Sequence, residues 1–105
     1  MTPLPLNLNK MITRIVKLTI SPNEIEKFTT LFSNHKFEIT DFKGCINVEL
    51  FQQDNNGSVF FTHSKWDSLN AIEQYRNSIT FKTIWSSVKP LFSEKAQAWS
   101  LEQIN

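Results

Sequence analysis

Two hydrophobic periodicities alternate along this chain, and their order is the feature that most constrains its fold. Apolar residues at alternate positions predict a strand over 12–20, in which Ile12 and Val16 share one face and Arg14 interrupts the series. A helical spacing follows over 25–42, and its six members span about 100° of the helix circumference, which is typical of a stripe that faces a core. These six residues are Ile25, Phe28, Phe32, His35, Ile39 and Phe42.

Capping and turn residues between these patterns predict where each helix and strand begins and ends. Ser21 and Glu24 predict a capping box in front of the first helix. Asn56-Gly57 predicts a tight hairpin, because this pair supplies the positive φ that such turns need. Pro90 is expected to disrupt the last helical stretch. The remaining predicted elements are strands over 45–53 and 58–66, a helix capped by Ser68, a second helical stretch after Ser78, and a strand over 96–103.

The resulting order, β-α-β-β-α-β, predicts an α+β chain of the ferredoxin-like class. Its four strands form an antiparallel sheet, and the helices cover one face of that sheet. The run Val59, Phe60 and Phe61 nevertheless places apolar side chains on both faces of the third strand. A sheet with one face in water would alternate cleanly, so we expect the uncovered face to pair with a second copy of the chain. Phe61 and His63 share one face of this strand, opposite to Phe60 and Trp66, and they are the predicted residues of the dimer interface if that face is the uncovered one.

Length and composition limit what the chain can be. With 105 residues we expect a single domain over 11–105, preceded by an N-terminal extension over 1–10 that is either a loose tail or a docked arm. A net charge of +1 argues against nucleic-acid binding, and no apolar run is long enough to cross a membrane. Cys45 is the one cysteine and no secretory signal is visible, which favours the cytoplasm. One cysteine and two separated histidines predict no metal site.

A small set of side chains is compatible with binding or chemistry. His35 interrupts the apolar stripe of the first helix, where it is either a core histidine bonded to backbone or a general base in a pocket. Trp66, Tyr75 and Trp85 are either core aromatics or the walls of a ligand site. Asn47, a polar residue in the middle of the second strand, either donates to a ligand or lines the interface.

Several short segments, spread from Met11 to Leu101, carry a family resemblance. They are Arg14-Ile15-Val16-Lys17-Leu18-Thr19, Phe42-Lys43-Gly44-Cys45, Val59-Phe60-Phe61-Thr62, Trp66-Asp67-Ser68, Phe81-Lys82-Thr83 and Lys95-Ala96-Gln97-Ala98-Trp99-Ser100. These segments resemble the antibiotic biosynthesis monooxygenase (ABM) domain. The resemblance implies a dimeric α/β barrel, in which two sheets pack face to face and each subunit holds a pocket between its sheet and its helices.

The resemblance also implies an activity. Members of this family that need no cofactor oxidise phenols or quinols with O₂, and the protein supplies a dry pocket, a base and hydrogen bonds to the phenolate. Carried to this chain, His35 is the predicted base, and Asn47, Trp66, Tyr75 and Trp85 are predicted to shape the site of a small aromatic substrate. The alternative is a non-catalytic dimeric module that binds a small molecule or regulates a partner.

The haem-degrading branch of the same family uses an asparagine, a tryptophan and a histidine in its pocket. The matching positions of this chain hold Val16, Tyr75 and Trp85. Without an imidazole at the third position, axial ligation of haem iron is not expected. We therefore predict a chain that acts without a cofactor.

Overall fold

The computed structural model describes residues 10–55 and 57–105. Nearly all of the predicted N-terminal extension lies outside these residues, as does Asn56 of the hairpin. The helices and strands are β1 (Ile12–Thr19), α1 (Ile25–Thr40), β2 (Cys45–Gln52), β3 (Val59–Trp66), α2 (Leu69–Arg76), α3 (Ile79–Val88) and β4 (Gln97–Leu101).

The four strands form one antiparallel sheet in the order β2-β3-β1-β4. The central pair, β1 and β3, is aligned along its whole length, from Ile12 opposite Trp66 to Thr19 opposite Val59. The ferredoxin-like fold predicted from the sequence is therefore confirmed. The second helical segment is divided at Asn77 and Ser78, as the sequence pattern predicted.

The two faces of the sheet differ in what covers them. On the helical face, β1 and β3 contribute buried residues that pack with the helices in two clusters, one around Trp66 and one around Phe28. On the open face, Phe51, Trp99 and Leu101 are 44–50% exposed. The helices α1, α2 and α3 bury their apolar residues only in the two clusters of the helical face. Among the described residues, the open face is thus an apolar surface without a helical cover.

A β-bulge at the start of β2 changes the predicted parity of that strand. The pairing with β3 skips a residue between Cys45 and Asn47, so Cys45 lies opposite Trp66 and packs against the core. Strict alternation along 45–53 predicts that Ile46 lies on the same face as Val48 and that Cys45 lies on the other. Instead Ile46 is 47% exposed, because the extra residue of a bulge interrupts the alternation of side chains.

One of the predicted cap details is wrong. The side chain of Ser21 makes no capping hydrogen bond, and a short 3₁₀ turn over Pro22–Glu24 leads into α1 instead. In the hairpin Asn55 has a positive φ, at 61°, and Asn56 of the predicted pair lies outside the described residues. Asparagine tolerates this left-handed conformation better than most residues. The Ser68 cap is confirmed, since its hydroxyl accepts a hydrogen bond from the Ala71 amide at 3.1 Å.

Candidate functional site

A cavity of about 330 Å³ lies between the helical face of the sheet and the three helices. This volume is at the lower end of the range for small-molecule sites, roughly 300–1,000 Å³. Its lining is mostly apolar, and the residues that form it are Arg14, Val16, Leu18, Phe28, Phe32, His35, Ile39, Val48, Thr62, Ser64, Trp66, Tyr75, Arg76, Phe81, Ile84, Trp85, Val88, Ala96, Gln97 and Ala98. A small apolar ligand fits such a space.

One wall of the cavity is a continuous series of aromatic rings. Trp66 lies 5.0 Å from Tyr75 between ring centroids, Tyr75 lies 5.2 Å from Phe81, and Phe81 stacks on Trp85 at 5.6 Å. The indole of Trp66 is fixed by a hydrogen bond, since its Nε1 donates to Ser64 Oγ at 2.9 Å. The wall therefore offers flat apolar surfaces in fixed positions, which suit the faces of an aromatic ligand.

His35 reaches the cavity because of its place on α1. Phe28, Phe32, His35 and Ile39 are spaced by three or four residues, so they share the helix face that lines the cavity. The side chain of His35 is 20% exposed, and its Nδ1 lies 3.1 Å from Oε1 of the exposed Glu38. A ring held through one nitrogen has a defined orientation, which leaves the other nitrogen as the group that can exchange a proton.

Two arginines also line the cavity. Arg14 extends from the middle of β1 on the helical face, and Arg76 is the last residue of α2. The Arg14 guanidinium donates to Ser100 Oγ on the neighbouring strand at 3.3 Å. Burial lowers the pKa of Arg14, and the nearby charge of Arg76 adds to this effect. The cavity thus combines apolar walls with a concentration of positive charge.

Tyr75 is the most strongly perturbed acidic group of the cavity. Burial raises the pKa of its phenol well above the ordinary value of 10.0, and the neighbouring Cys45 acts in the same direction. The side chain therefore stays neutral at physiological pH and can donate as well as accept a hydrogen bond. Burial also raises the pKa of the Cys45 thiol to about 11, which keeps the sulfur protonated and unreactive at neutral pH.

The structure brings together four of the residues that the sequence singled out. His35, Trp66, Tyr75 and Trp85 all line the one cavity. Sequence periodicity could identify them because each lies on the buried side of a helix or strand. Whether these side chains act on a substrate remains a prediction.

The other three predicted residues lie on the open face. Asn47 is exposed and lies opposite Lys65, outside the cavity. The structure therefore does not place it with the other residues predicted to bind the ligand. His63 and Phe61 are half-buried on the same face, and the His63 ring meets that of Phe51 edge-on with centroids 6.2 Å apart. Phe61 and His63 therefore lie on the face that no helix covers, and their role in a dimer interface stays a prediction.

Sequence reasoning assigned no role to Arg14, Thr62, Ser64 or Arg76, which are polar residues of the cavity. The sequence did mark Arg14, Thr62 and Ser64, because each is a polar residue at a position where strand periodicity predicts an apolar one. Arg76 gave no such signal, since a charged residue at the end of a helix is normally solvated.

Within residues 10–55 and 57–105, no three His, Cys, Asp or Glu side chains come together as a metal site. In the same residues, no helix has the length and apolar content required to span a membrane.

The sequence model that describes the antibiotic biosynthesis monooxygenase family matches residues 11–85. No curated protein matches the chain.

Solved structures resemble the chain over almost its whole length. A Nitrosomonas europaea protein that bears the family's name is 12% identical with a TM-score of 0.85, and the match covers 96% of each chain. A Caulobacter crescentus protein of the same name is 16% identical, with a TM-score of 0.85 and 93% of each chain covered. A conserved protein of Methanosarcina mazei is 18% identical with a TM-score of 0.84, covering 90% of this chain and 94% of its own. At these identities the comparison supports the fold alone.

Proposed function

This chain belongs to the antibiotic biosynthesis monooxygenase family, and from that premise we propose that it is a cofactor-independent monooxygenase that oxidises a small aromatic phenol or quinol with O₂. The observation that carries the proposal is the position of His35. It is the one histidine in the lining of an otherwise largely apolar, aromatic-walled cavity. A phenolic substrate seated there meets flat apolar walls and a single imidazole.

His35 is proposed as the general base. With the imidazole proton on Nδ1, the ring donates to Glu38 and Nε2 is free to accept a proton from the substrate. The neutral phenol of Tyr75 is placed to donate a hydrogen bond to the substrate oxygen as negative charge develops there.

The proposed reaction balances with O₂ as the only oxidant. For an anthrone-type substrate, the base removes a proton and the resulting carbanion passes electrons to O₂. One oxygen atom forms a carbonyl at that carbon, the other leaves as water with the two hydrogens of the carbon, and the substrate is oxidised by four electrons. The apolar cavity serves this sequence by excluding bulk water from the carbanion.

Oxygen uptake with a panel of hydroquinones and anthrones tests the proposal. We expect turnover by the wild type and a loss of about 10²–10⁴-fold in His35→Ala, the usual contribution of a positioned base. His63→Ala is the matched control for loss of an imidazole, because His63 is the other histidine of the chain and lies outside the cavity, and its molar mass is measured alongside since it lies on the proposed dimer face. Uptake that is equal in wild type and His35→Ala refutes the role of His35. Saturable binding without any uptake supports the non-catalytic alternative instead.

We further propose that the open face forms a homodimer interface. The face carries exposed Phe51, Trp99 and Leu101, and it also carries both Lys65 and Glu49. A two-fold axis brings the same surface against itself, so a face with apolar residues and charges of both signs is self-complementary. An apolar face of this kind on a folded chain is typical of an association site.

The molar mass in solution tests this interface. Trp99→Asp should convert a dimer to a monomer in size-exclusion chromatography with light scattering. Phe37→Asp is the control, because Phe37 is 76% exposed on α1, away from the open face. A monomeric wild type, or a dimer that survives Trp99→Asp and is lost in Phe37→Asp, contradicts the assignment.

A further inference from the structure

We propose that Arg14 and Arg76 form a carboxylate-binding site within the cavity, and that the ligand of this protein is therefore an aromatic carboxylate. The inference rests on the proposed function only in taking the cavity to be the ligand site. It adds the chemical group by which the ligand is recognised.

The distribution of positive charge in the chain supports the site. The chain contains two arginines, and both line this cavity. The lysines, all of which belong to the described residues, line no part of it. Arginine and lysine are equivalent for a solvated surface charge, but only arginine presents a planar fork of donors. The selective use of arginine here is what a site for a planar anion requires.

The guanidinium groups are largely free to bind a ligand. Arg14 makes one hydrogen bond, to the Ser100 hydroxyl, and within the described residues no carboxylate lies at ion-pair distance from it. The side chain of Arg76 is 50% exposed, and among the described residues its one ion-pair partner is Glu73 on the same helix, at 4.0 Å, the limit of an ion pair. Most of the donors of both groups therefore have no protein acceptor.

The other charges around the cavity leave its balance positive. Glu38 is bonded to His35, and Glu73 is exposed beside Arg76. Neither glutamate is among the lining residues, whereas both arginines and His35 are. Burial and the charge of Arg76 both lower the pKa of Arg14, so the two guanidinium groups repel one another. An anion between them removes that repulsion and replaces the water lost by Arg14.

A carboxylate matches these groups better than a phenol does. A carboxylate is ionised at neutral pH, whereas an ordinary phenol, with a pKa near 10, is not. Its two oxygens accept parallel hydrogen bonds from the guanidinium fork. The aromatic wall of Trp66, Tyr75 and Trp85 lies in the same cavity. A ligand with a flat ring and a carboxylate substituent satisfies both halves of the lining.

The three tryptophans of the chain make a direct binding assay available. The indole N–H signals in a ¹H–¹⁵N spectrum report Trp66 and Trp85 in the cavity and Trp99 on the open face, which serves as an internal reference. The probes are naphthoate and its neutral isostere naphthamide. They are titrated into the full chain, into Arg14→Lys and Arg76→Gln, and into the control Lys82→Gln, which removes an exposed positive charge of α3 outside the cavity.

We expect naphthoate to shift Trp66 and Trp85 but not Trp99, and to bind at least about tenfold more tightly than naphthamide. Arg76→Gln should weaken naphthoate about 10- to 100-fold, the range for a lost charge-assisted hydrogen bond, and should leave naphthamide unchanged. Arg14→Lys keeps the charge but loses the fork and should give a smaller loss of the same sign. Lys82→Gln should match the wild type.

Equal affinity for the two probes, or equal losses in Arg76→Gln and Lys82→Gln, overturns the carboxylate site. These outcomes leave the oxygen-uptake test of the proposed function unaffected. Conversely, naphthoate binding with the expected selectivity and no oxygen uptake with any phenol supports the carboxylate site and refutes the monooxygenase proposal.

Discussion

Gly44 connects the end of α1 to β2 at a point where the structure excludes every side chain. Its φ is +93°, in the region that favours glycine, and a Cβ built there would overlap the Cβ of Ala71 on α2 and lie 3.0 Å from Asp67 Oδ1. Its carbonyl also accepts a hydrogen bond from the Asp67 amide at 2.8 Å. Gly44 therefore determines how closely α2, which carries Tyr75 and Arg76, approaches the sheet.

The expected cost of Gly44→Ala has two parts. The positive φ costs an alanine about 1–2 kcal/mol, and the overlap with Ala71 adds about 1–3 kcal/mol of the kind seen when a core is overpacked. We therefore expect the free energy of unfolding to fall by about 2–5 kcal/mol. For a chain of this size that lowers the Tm by about 10 °C or more. Urea unfolding followed by tryptophan fluorescence gives the free energy directly.

The matched control is Gly57→Ala in the hairpin. Among the described residues, a Cβ at Gly57 would meet the amide nitrogen of Gln52, at 3.2 Å, which is the end of a flexible side chain. The free energy of unfolding should change by less than about 1 kcal/mol. Equal losses at Gly44 and Gly57 would contradict the argument from φ and steric overlap.

A double-mutant cycle separates the two parts of the cost. Ala71→Gly removes the methyl group that the new side chain overlaps, at a cost of about 1 kcal/mol for glycine in a helix. If the overlap is real, Gly44→Ala should be less damaging in the Ala71→Gly background by about 1 kcal/mol or more. Strict additivity of the two substitutions would show that backbone strain alone accounts for the loss.

Further predictions concern a cap, a phenol and a thiol. Ser68→Ala should lower the free energy of unfolding, measured in urea, by about 1 kcal/mol, because it removes the cap on the Ala71 amide. Ser21→Ala should leave it nearly unchanged, because the Ser21 side chain makes no capping hydrogen bond. A larger loss in Ser21→Ala than in Ser68→Ala would contradict the cap assignment. Tyr75 is the only tyrosine, so tyrosinate absorbance reports it alone, and it should ionise above the ordinary pKa of 10.0. Because the unfolded chain loses this proton at a lower pH than the folded chain does, the free energy of unfolding should fall above about pH 10. Between pH 8 and pH 11 it should fall less in Tyr75→Phe than in the wild type. The Cys45 thiol, with a pKa of about 11, should react with iodoacetamide at pH 8 about 100-fold more slowly in the folded than in the unfolded chain. Mass spectrometry measures the two rates. Equal rates would show that burial does not protect the thiol.

The periodic parts of the fold were predictable because burial imposes a repeat on the sequence. The alternation over β1 and β3 predicted the strands and which residues share a face, and the helical stripe of α1 predicted that His35 faces the sheet. The bulge at Ile46 was not predictable in this way, since a single extra residue leaves the hydrophobic pattern locally unchanged while it reverses the face of Cys45. Asn47 was selected as a ligand residue for its polarity alone, but it lies on the open face of the sheet.

The breaks in the periodic pattern are more informative about the site than the pattern itself. Arg14 and Ser64 both occupy positions of the helical face where an apolar residue is expected, and both line the cavity. A buried polar group costs stability unless it is bonded, and this applies to Ser64, which is buried, more than to Arg14, which is partly exposed. Ser64 has partners within the chain, because its hydroxyl accepts from the Trp66 indole and donates to the Arg14 carbonyl at 3.5 Å. Arg14 has one hydroxyl for five donors. The serine is thus explained by hydrogen bonds within the fold, whereas the proposed carboxylate would supply acceptors for the Arg14 donors that are not buried.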